Sequence, residues 1–92
     1  MSGKNARFYF ANLGADVLRC IVAAEAGDRA RYESSIGRAQ KTLEALRTAN
    51  RPEAYEEGLL LLRAVEYARA DGTLEKLRVA VNRLVTPFVV AA

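Results

Sequence analysis

Apolar residues recur at helical spacing along four segments of this chain of 92 residues, and turn-forming residues separate the segments. Gly27 and Gly72 follow the first and third segments, where a glycine can adopt the left-handed conformation that ends a helix. Asp28 precedes the second segment as an N-cap, and Pro52 suits the first turn of the third. The pattern predicts four helices, at about 6–26, 29–49, 52–70 and 74–85.

The second and fourth predicted helices each carry a single apolar stripe. The stripe is Tyr32, Ile36, Ala39, Leu43 and Leu46 in the second helix, and Leu74, Leu77, Val81, Leu84 and Phe88 in the fourth. One such stripe is what a helix needs to pack in a four-helix bundle. Pro87 disturbs the fourth helix, because a proline ring clashes with the carbonyl four residues earlier. We therefore expect this helix either to end near Val85 or to kink, with a separate tail at 86–92.

The first and third predicted helices are apolar over a wider arc. Their core faces are Phe10, Leu13, Val17, Ile21 and Ala24 in the first helix, and Ala54, Gly58, Leu61, Leu62, Val65 and Ala68 in the third. Other apolar side chains lie outside these faces, on sides that a simple bundle leaves exposed. Gly14 and Gly58 fall on the apolar arcs, where we expect them to permit close helix crossings.

The short connections between the segments make consecutive helices antiparallel neighbours. The sequence thus predicts an all-α fold, an antiparallel up-down four-helix bundle that forms a single domain over 1–92. A short solenoid made of two stacked helix pairs is the alternative. Helices of about 20 residues are too long for the 34-residue repeat of that kind.

The residue types leave little room for catalysis or metal binding. The chain has no histidine, which removes the commonest general base and metal ligand. Its one cysteine, Cys20, lies at the edge of the core face and is interpreted as a small buried hydrophobe. Asp16 is interpreted as part of a solvated helix face, because charged residues are usually exposed. We expect no enzyme activity, no catalytic residues, no cofactor and no metal.

The chain also lacks the sequence features of export or membrane insertion. It has no signal-type apolar segment, and none of its uninterrupted apolar runs, such as 59–62, is longer than five residues, whereas a membrane span needs about 20 residues. A single cysteine cannot form an intramolecular disulfide. These features predict a cytoplasmic protein that does not enter the membrane.

The surplus apolar surface is the first candidate for a function. It comprises Phe8, Leu18 and Val22 on the first helix, with Leu60 and Tyr67 on the third. Large exposed apolar patches are uncommon on monomers, so these residues predict a protein–protein contact, either in a homodimer or with another protein. The competing explanation is that the segment after Pro87 folds back over part of this surface. The sequence alone does not decide between them.

A basic face on the second helix is the second candidate. Arg31, Arg38 and Lys41 align there with small side chains between them, which would let a phosphate backbone approach. The net charge of +3 is only mildly basic, and no aromatic residue is interleaved for base stacking. Binding of structured RNA is therefore the alternative function, and a plain solvated face is the simpler explanation. The leading prediction is a small non-enzymatic interaction or oligomerisation module.

Overall fold

The computed structural model describes the backbone of residues 5–90 and the side chains of residues 5–86. The four helices are α1 (Ala6–Glu25), α2 (Arg29–Arg47), α3 (Pro52–Asp71) and α4 (Leu74–Val90). They form an up-down four-helix bundle, and the described residues contain no strand. Because α4 packs back against α1, the bundle is closed and the helix pairs do not stack as a solenoid. The predicted fold class is confirmed.

Local capping interactions set the helix boundaries close to the predicted ones. Asp28 accepts a hydrogen bond from the backbone N–H of Arg31 at 3.1 Å and so caps α2, as predicted. Gly27 and Gly72 have φ angles of 71° and 73°, the left-handed conformation expected after α1 and α3. Pro52 begins α3. Each helix therefore begins within one residue of the predicted start.

The two diagonals of the bundle differ, because α1 and α3 are in contact across it and α2 and α4 of the described residues are not. α1 contacts α2, α3 and α4, and α3 likewise contacts all three other helices. α2 and α4 are not packed against each other in the described residues. A helix with three neighbours buries a wider arc than a helix with two. Of the surplus apolar residues, Leu18 of α1 packs against the core, whereas Leu60 and Tyr67 of α3 stay exposed. The fully buried side chains are Leu13, Val17, Cys20, Ile21, Leu46, Val65 and Val81.

Two glycines make the close helix contacts. A Cβ placed on Gly58 would lie 2.5 Å from Leu13 Cδ2 and 2.9 Å from Leu43 Cδ1, so leucines of α1 and α2 occupy its place on α3. A Cβ on Gly14 would lie 2.7 Å from Val85 Cγ1, with Cγ2 closer still. Val85 of α4 therefore sits directly on the α1 backbone. Both glycines permit close crossings, as the sequence predicts.

Two predictions about α4 are wrong, its end near Val85 and the place of Leu84 on the core stripe, while the alternative of a kink at Pro87 stays a prediction. The helix does not end near Val85 but continues through Pro87 to Val90. A proline removes one backbone N–H and its ring can be accommodated by bending, so it need not end a helix. Leu84 was also predicted on the core stripe, yet it is exposed, while Val85 is buried. Val85 is buried because Gly14 has no side chain and so leaves room for the valine directly against α1. Phe88 and the separate packing of the tail at 86–92 lie largely outside the residues whose side chains are described.

Candidate functional site

A groove between α1 and α2 brings together apolar and basic residues from both predicted surfaces. Its volume is about 450 Å³. The α1 side is formed by Leu18, Arg19, Val22, Ala23 and Ala26, and the α2 side by Arg31, Ser34, Ser35 and Arg38, with Asp28 in the connecting loop. Two residues of the predicted protein interface and two of the predicted nucleic-acid face therefore line a single site, which we call the α1–α2 groove.

Apolar side chains form the floor of the α1–α2 groove. Leu18 is half-buried and packs against the core, whereas Val22 is 54% exposed. Ala23, which also lines the groove, is buried. Covering Val22 and the exposed part of Leu18 would remove apolar surface from water, which favours association by about 25 cal/mol per Å².

Arginines form the rim of the groove. Arg31 and Arg38 project from α2, and Arg19 projects from α1, against the single acidic residue Asp28. Arg31 lies 3.8 Å from Asp28, at the outer limit of an ion pair, and both side chains are exposed. Arg38 makes no ion pair within residues 5–86. The rim therefore has a positive charge that the protein itself neutralises only in part.

The third arginine of the rim, Arg19, is paired with the buried carboxylate of Asp16. Asp16 is 7% exposed, so its interpretation as a solvated residue is wrong. Its Oδ1 accepts a hydrogen bond from Arg19 at 3.0 Å, and its Oδ2 accepts one from the Thr42 hydroxyl of α2 at 3.1 Å. A buried carboxylate needs such partners to offset the loss of hydration. Asp16 thus ties α1 to α2 and holds Arg19 beside the groove.

The other predicted residues of α1 and α2 lie away from the groove. Phe8 is exposed near the N-terminal end of α1, where its ring and the ring of Tyr9 pack edge to face with their centroids 5.5 Å apart. Lys41 is exposed on α2 but does not line the groove. The three basic residues of the predicted nucleic-acid face are therefore all accessible, but only Arg31 and Arg38 share a site with the apolar floor.

Leu60 and Tyr67 are strongly exposed, at 59% and 72%, but they lie on the opposite side of the bundle. Leu13 of α1 packs against Gly58 of α3, which marks where the two helices face each other. Val22 and Tyr67 each come nine residues after these contact positions, so each side chain points about 180° away from the α1–α3 contact. Four of the five predicted interface residues therefore form two separate surfaces, and Phe8 belongs to neither.

The surface around Leu60 is acidic, whereas Tyr67, two turns further along α3, lies beside Arg63 and Glu66. Glu53, Glu56 and Glu57 are exposed in the first two turns of α3, on the side that carries Leu60. Glu53 accepts a hydrogen bond from Arg51 at 2.8 Å, and this bond lowers the pKa of Glu53. Glu56 and Glu57 make no ion pair within residues 5–86. We call the surface formed by five residues the outer face of α3: Glu53, Glu56, Glu57, Leu60 and Tyr67. Arg63 is a basic residue on the same face.

Cys20 does not have the environment of a reactive thiol. It is fully buried, as predicted. Removal from water, together with the nearby negative charge of Asp16, raises the pKa of the thiol to about 11. The thiolate is the nucleophilic form, so at neutral pH this cysteine is protonated and unreactive.

Two further structural features concern metals and membranes. Within the described part of the chain, no three cysteine or acidic side chains are grouped so that they could hold a metal ion. Nor does any described helix combine the length and apolar character that a membrane span needs. Comparison with protein-family models, with curated proteins and with solved structures finds no match to this chain.

Proposed function

We propose that this protein is a non-enzymatic protein–protein interaction module that binds its partner in the α1–α2 groove. The observation that carries the proposal is the position of Val22, a valine that is 54% exposed on the floor of a groove edged by three arginines. Apolar surface enclosed by a polar rim is the usual anatomy of a protein interface. Aliphatic side chains gain little from contact with a phosphate backbone, which favours a protein partner.

The experiment compares two exposed valines, one inside the groove and one outside it. Val22→Glu places a carboxylate on the floor of the groove, and Val79→Glu makes the same change on α4, where Val79 is 45% exposed. Both sites tolerate a polar side chain without loss of the fold, because surface substitutions cost within about 0.5 kcal/mol. Circular dichroism melts of both variants check this point.

The tagged protein and both variants are used to capture partners from an extract of the native host, with and without nuclease. Self-association is measured in parallel by size-exclusion chromatography with light scattering. We expect the wild-type protein and Val79→Glu to bind the same partner, whether a host protein or a second copy, and Val22→Glu to lose it. If Val22→Glu binds as the wild type does, or if nothing binds in either assay, the proposal is wrong.

Structured RNA is the second candidate, favoured by the exposure of Arg31, Arg38 and Lys41 on one side of α2. Lys41 separates the two functions, because it lies outside the groove. RNA binding would weaken on Lys41→Glu and would fall steeply with salt. Protein binding in the groove would be unaffected by that substitution. No RNA binding at about 50 mM salt, where electrostatic affinity is high, would exclude this candidate.

A further inference from the structure

The α1–α2 groove and the outer face of α3 are opposite in charge. The α1–α2 groove presents Leu18 and Val22 among three arginines, of which Arg19 is already paired with Asp16. The outer face of α3 presents Leu60 beside Glu56 and Glu57, with Tyr67 about 10 Å further along the helix. Each surface by itself would remain solvated because of its charges, but contact between them would cover both sets of apolar side chains and bring opposite charges together.

The spacing along the helices is also compatible. Leu60 lies three residues after Glu57 and four after Glu56, about 5–6 Å along the axis of α3. Leu18 and Val22 are four residues apart on α1, about 6 Å along its axis, and Arg31 and Arg38 are about 10 Å apart on α2. A helix seated in the groove can therefore place Leu60 on the floor while Glu56 and Glu57 face the arginine rim, with Tyr67 about 10 Å further along α3. The charges are available for this, since Arg38, Glu56 and Glu57 have no ion pair within residues 5–86.

We infer that the occupant of the α1–α2 groove is the outer face of α3 from a second copy of this chain. The inference rests on the proposed function and names the partner. The groove and the outer face of α3 lie on opposite sides of the bundle, so the contact joins two different surfaces. Such a heterologous contact leaves one groove and one α3 face free in a dimer, and it continues until a ring closes or a chain grows. The protein therefore assembles head to tail.

Light scattering after size exclusion, at increasing protein concentration, provides the first test. The wild-type protein and Val79→Glu grow past the dimer in steps of one monomer mass. Val22→Glu, which lacks a working groove, and the double variant Leu60→Glu/Tyr67→Glu, which lacks a working α3 face, are each monomeric. High salt reduces the wild-type assembly, because it screens the arginine–glutamate pairs.

A mixing experiment tests the order of assembly. Val22→Glu retains an intact α3 face, and the double variant retains an intact groove. An equimolar mixture of these two monomers therefore forms a heterodimer, and the heterodimer cannot grow, because its remaining groove and α3 face are both blocked. Neither a symmetric contact of groove with groove nor one of α3 with α3 gives this result, since each would leave one of the two variants able to dimerise alone.

The outcomes separate this inference from the proposed function. A wild-type protein that stays monomeric at about 1 mM, where even weak association is visible, overturns head-to-tail assembly. So does a dimer that the α3 substitutions leave intact, or a mixture that yields only monomers. In each case, the proposed function still stands if a host protein is captured in the presence of nuclease and this capture is lost in Val22→Glu. Binding that is insensitive to Val22→Glu overturns both.

Discussion

Replacement of Gly14 by alanine tests the close contact between α1 and α4. In an unconstrained helix, alanine is more stable than glycine by about 1 kcal/mol. At Gly14, however, the new methyl group would lie 2.7 Å from Cγ1 of Val85 and 3.0 Å from its Cβ. Rotation about χ1 cannot relieve this clash, because a valine carries methyl groups at two of its three χ1 positions, so one Cγ always stays against the new methyl group. The two helices must separate, which also disturbs packing at a side chain that is only 3% exposed.

The size of the effect follows from two opposing terms. Overpacking of a well-packed core costs about 1–3 kcal/mol, and the gain in helix propensity offsets about 1 kcal/mol of it. A contact that involves a Cβ rather than a flexible side-chain end belongs in the upper part of that range. We therefore expect Gly14→Ala to lower the free energy of unfolding by about 1–2 kcal/mol, which lowers Tm by several degrees in a domain of this size.

The matched control is Gly37→Ala in α2, where nothing lies within 4 Å of the new Cβ. This substitution keeps only the propensity term and should stabilise the protein by about 0.5–1 kcal/mol. Urea unfolding followed by circular dichroism at 222 nm measures both variants. In a double-mutant cycle, Val85→Ala should recover most of the loss caused by Gly14→Ala, because it removes both Cγ atoms. If Gly14→Ala stabilises the protein as much as Gly37→Ala, the assigned contact with Val85 is wrong.

Two further predictions concern Asp16 and Cys20, the buried polar groups of α1. Asp16→Ala should lower the free energy of unfolding by about 1–3 kcal/mol, because the Thr42 hydroxyl and Arg19 lose their acceptor; a loss no larger than that of the exposed control Glu57→Ala in urea unfolding would contradict the role of Asp16. The Cys20 thiol, whose pKa is raised from 9.0 to about 11, keeps its proton in the folded state after the unfolded chain has lost it. Its contribution to stability is therefore present below pH 9 and lost between pH 9 and 11. Between pH 9 and 11, the free energy of unfolding should fall less steeply with pH for Cys20→Ala than for the wild type. Identical slopes would refute the raised pKa of Cys20.

The helix boundaries were predictable because they depend on residues close in sequence. Asp28 caps α2 through an N–H three residues ahead, and Gly72 ends α3 through its own φ angle. The apolar arcs were equally visible. The end of α4 was not, since the consequence of a proline depends on whether the helix can bend there and on what it packs against.

Part of the candidate site could also have been recognised from the sequence. Asp16 lies four residues before the buried Cys20, which places it on the same edge of α1 and signals burial that the residue type alone does not suggest. Its partner Thr42 is 26 positions away, so the hydrogen bond itself needs the tertiary structure. The same holds for the groove, because the angle between α1 and α2 decides which of their exposed residues converge.

The sequence by itself determined that this chain forms four amphipathic helices with short connections, because helical periodicity and capping are local properties. It also showed that α1 and α3 are apolar over wider arcs than α2 and α4. Only the tertiary structure decided how those arcs are used. The direct α1–α3 contact buries one part, while the rest is divided between two opposite faces, Val22 in a basic groove and Leu60 on an acidic helix. Which residues share a surface depends on how the helices pack against one another, and that arrangement results from side chains meeting across the whole bundle.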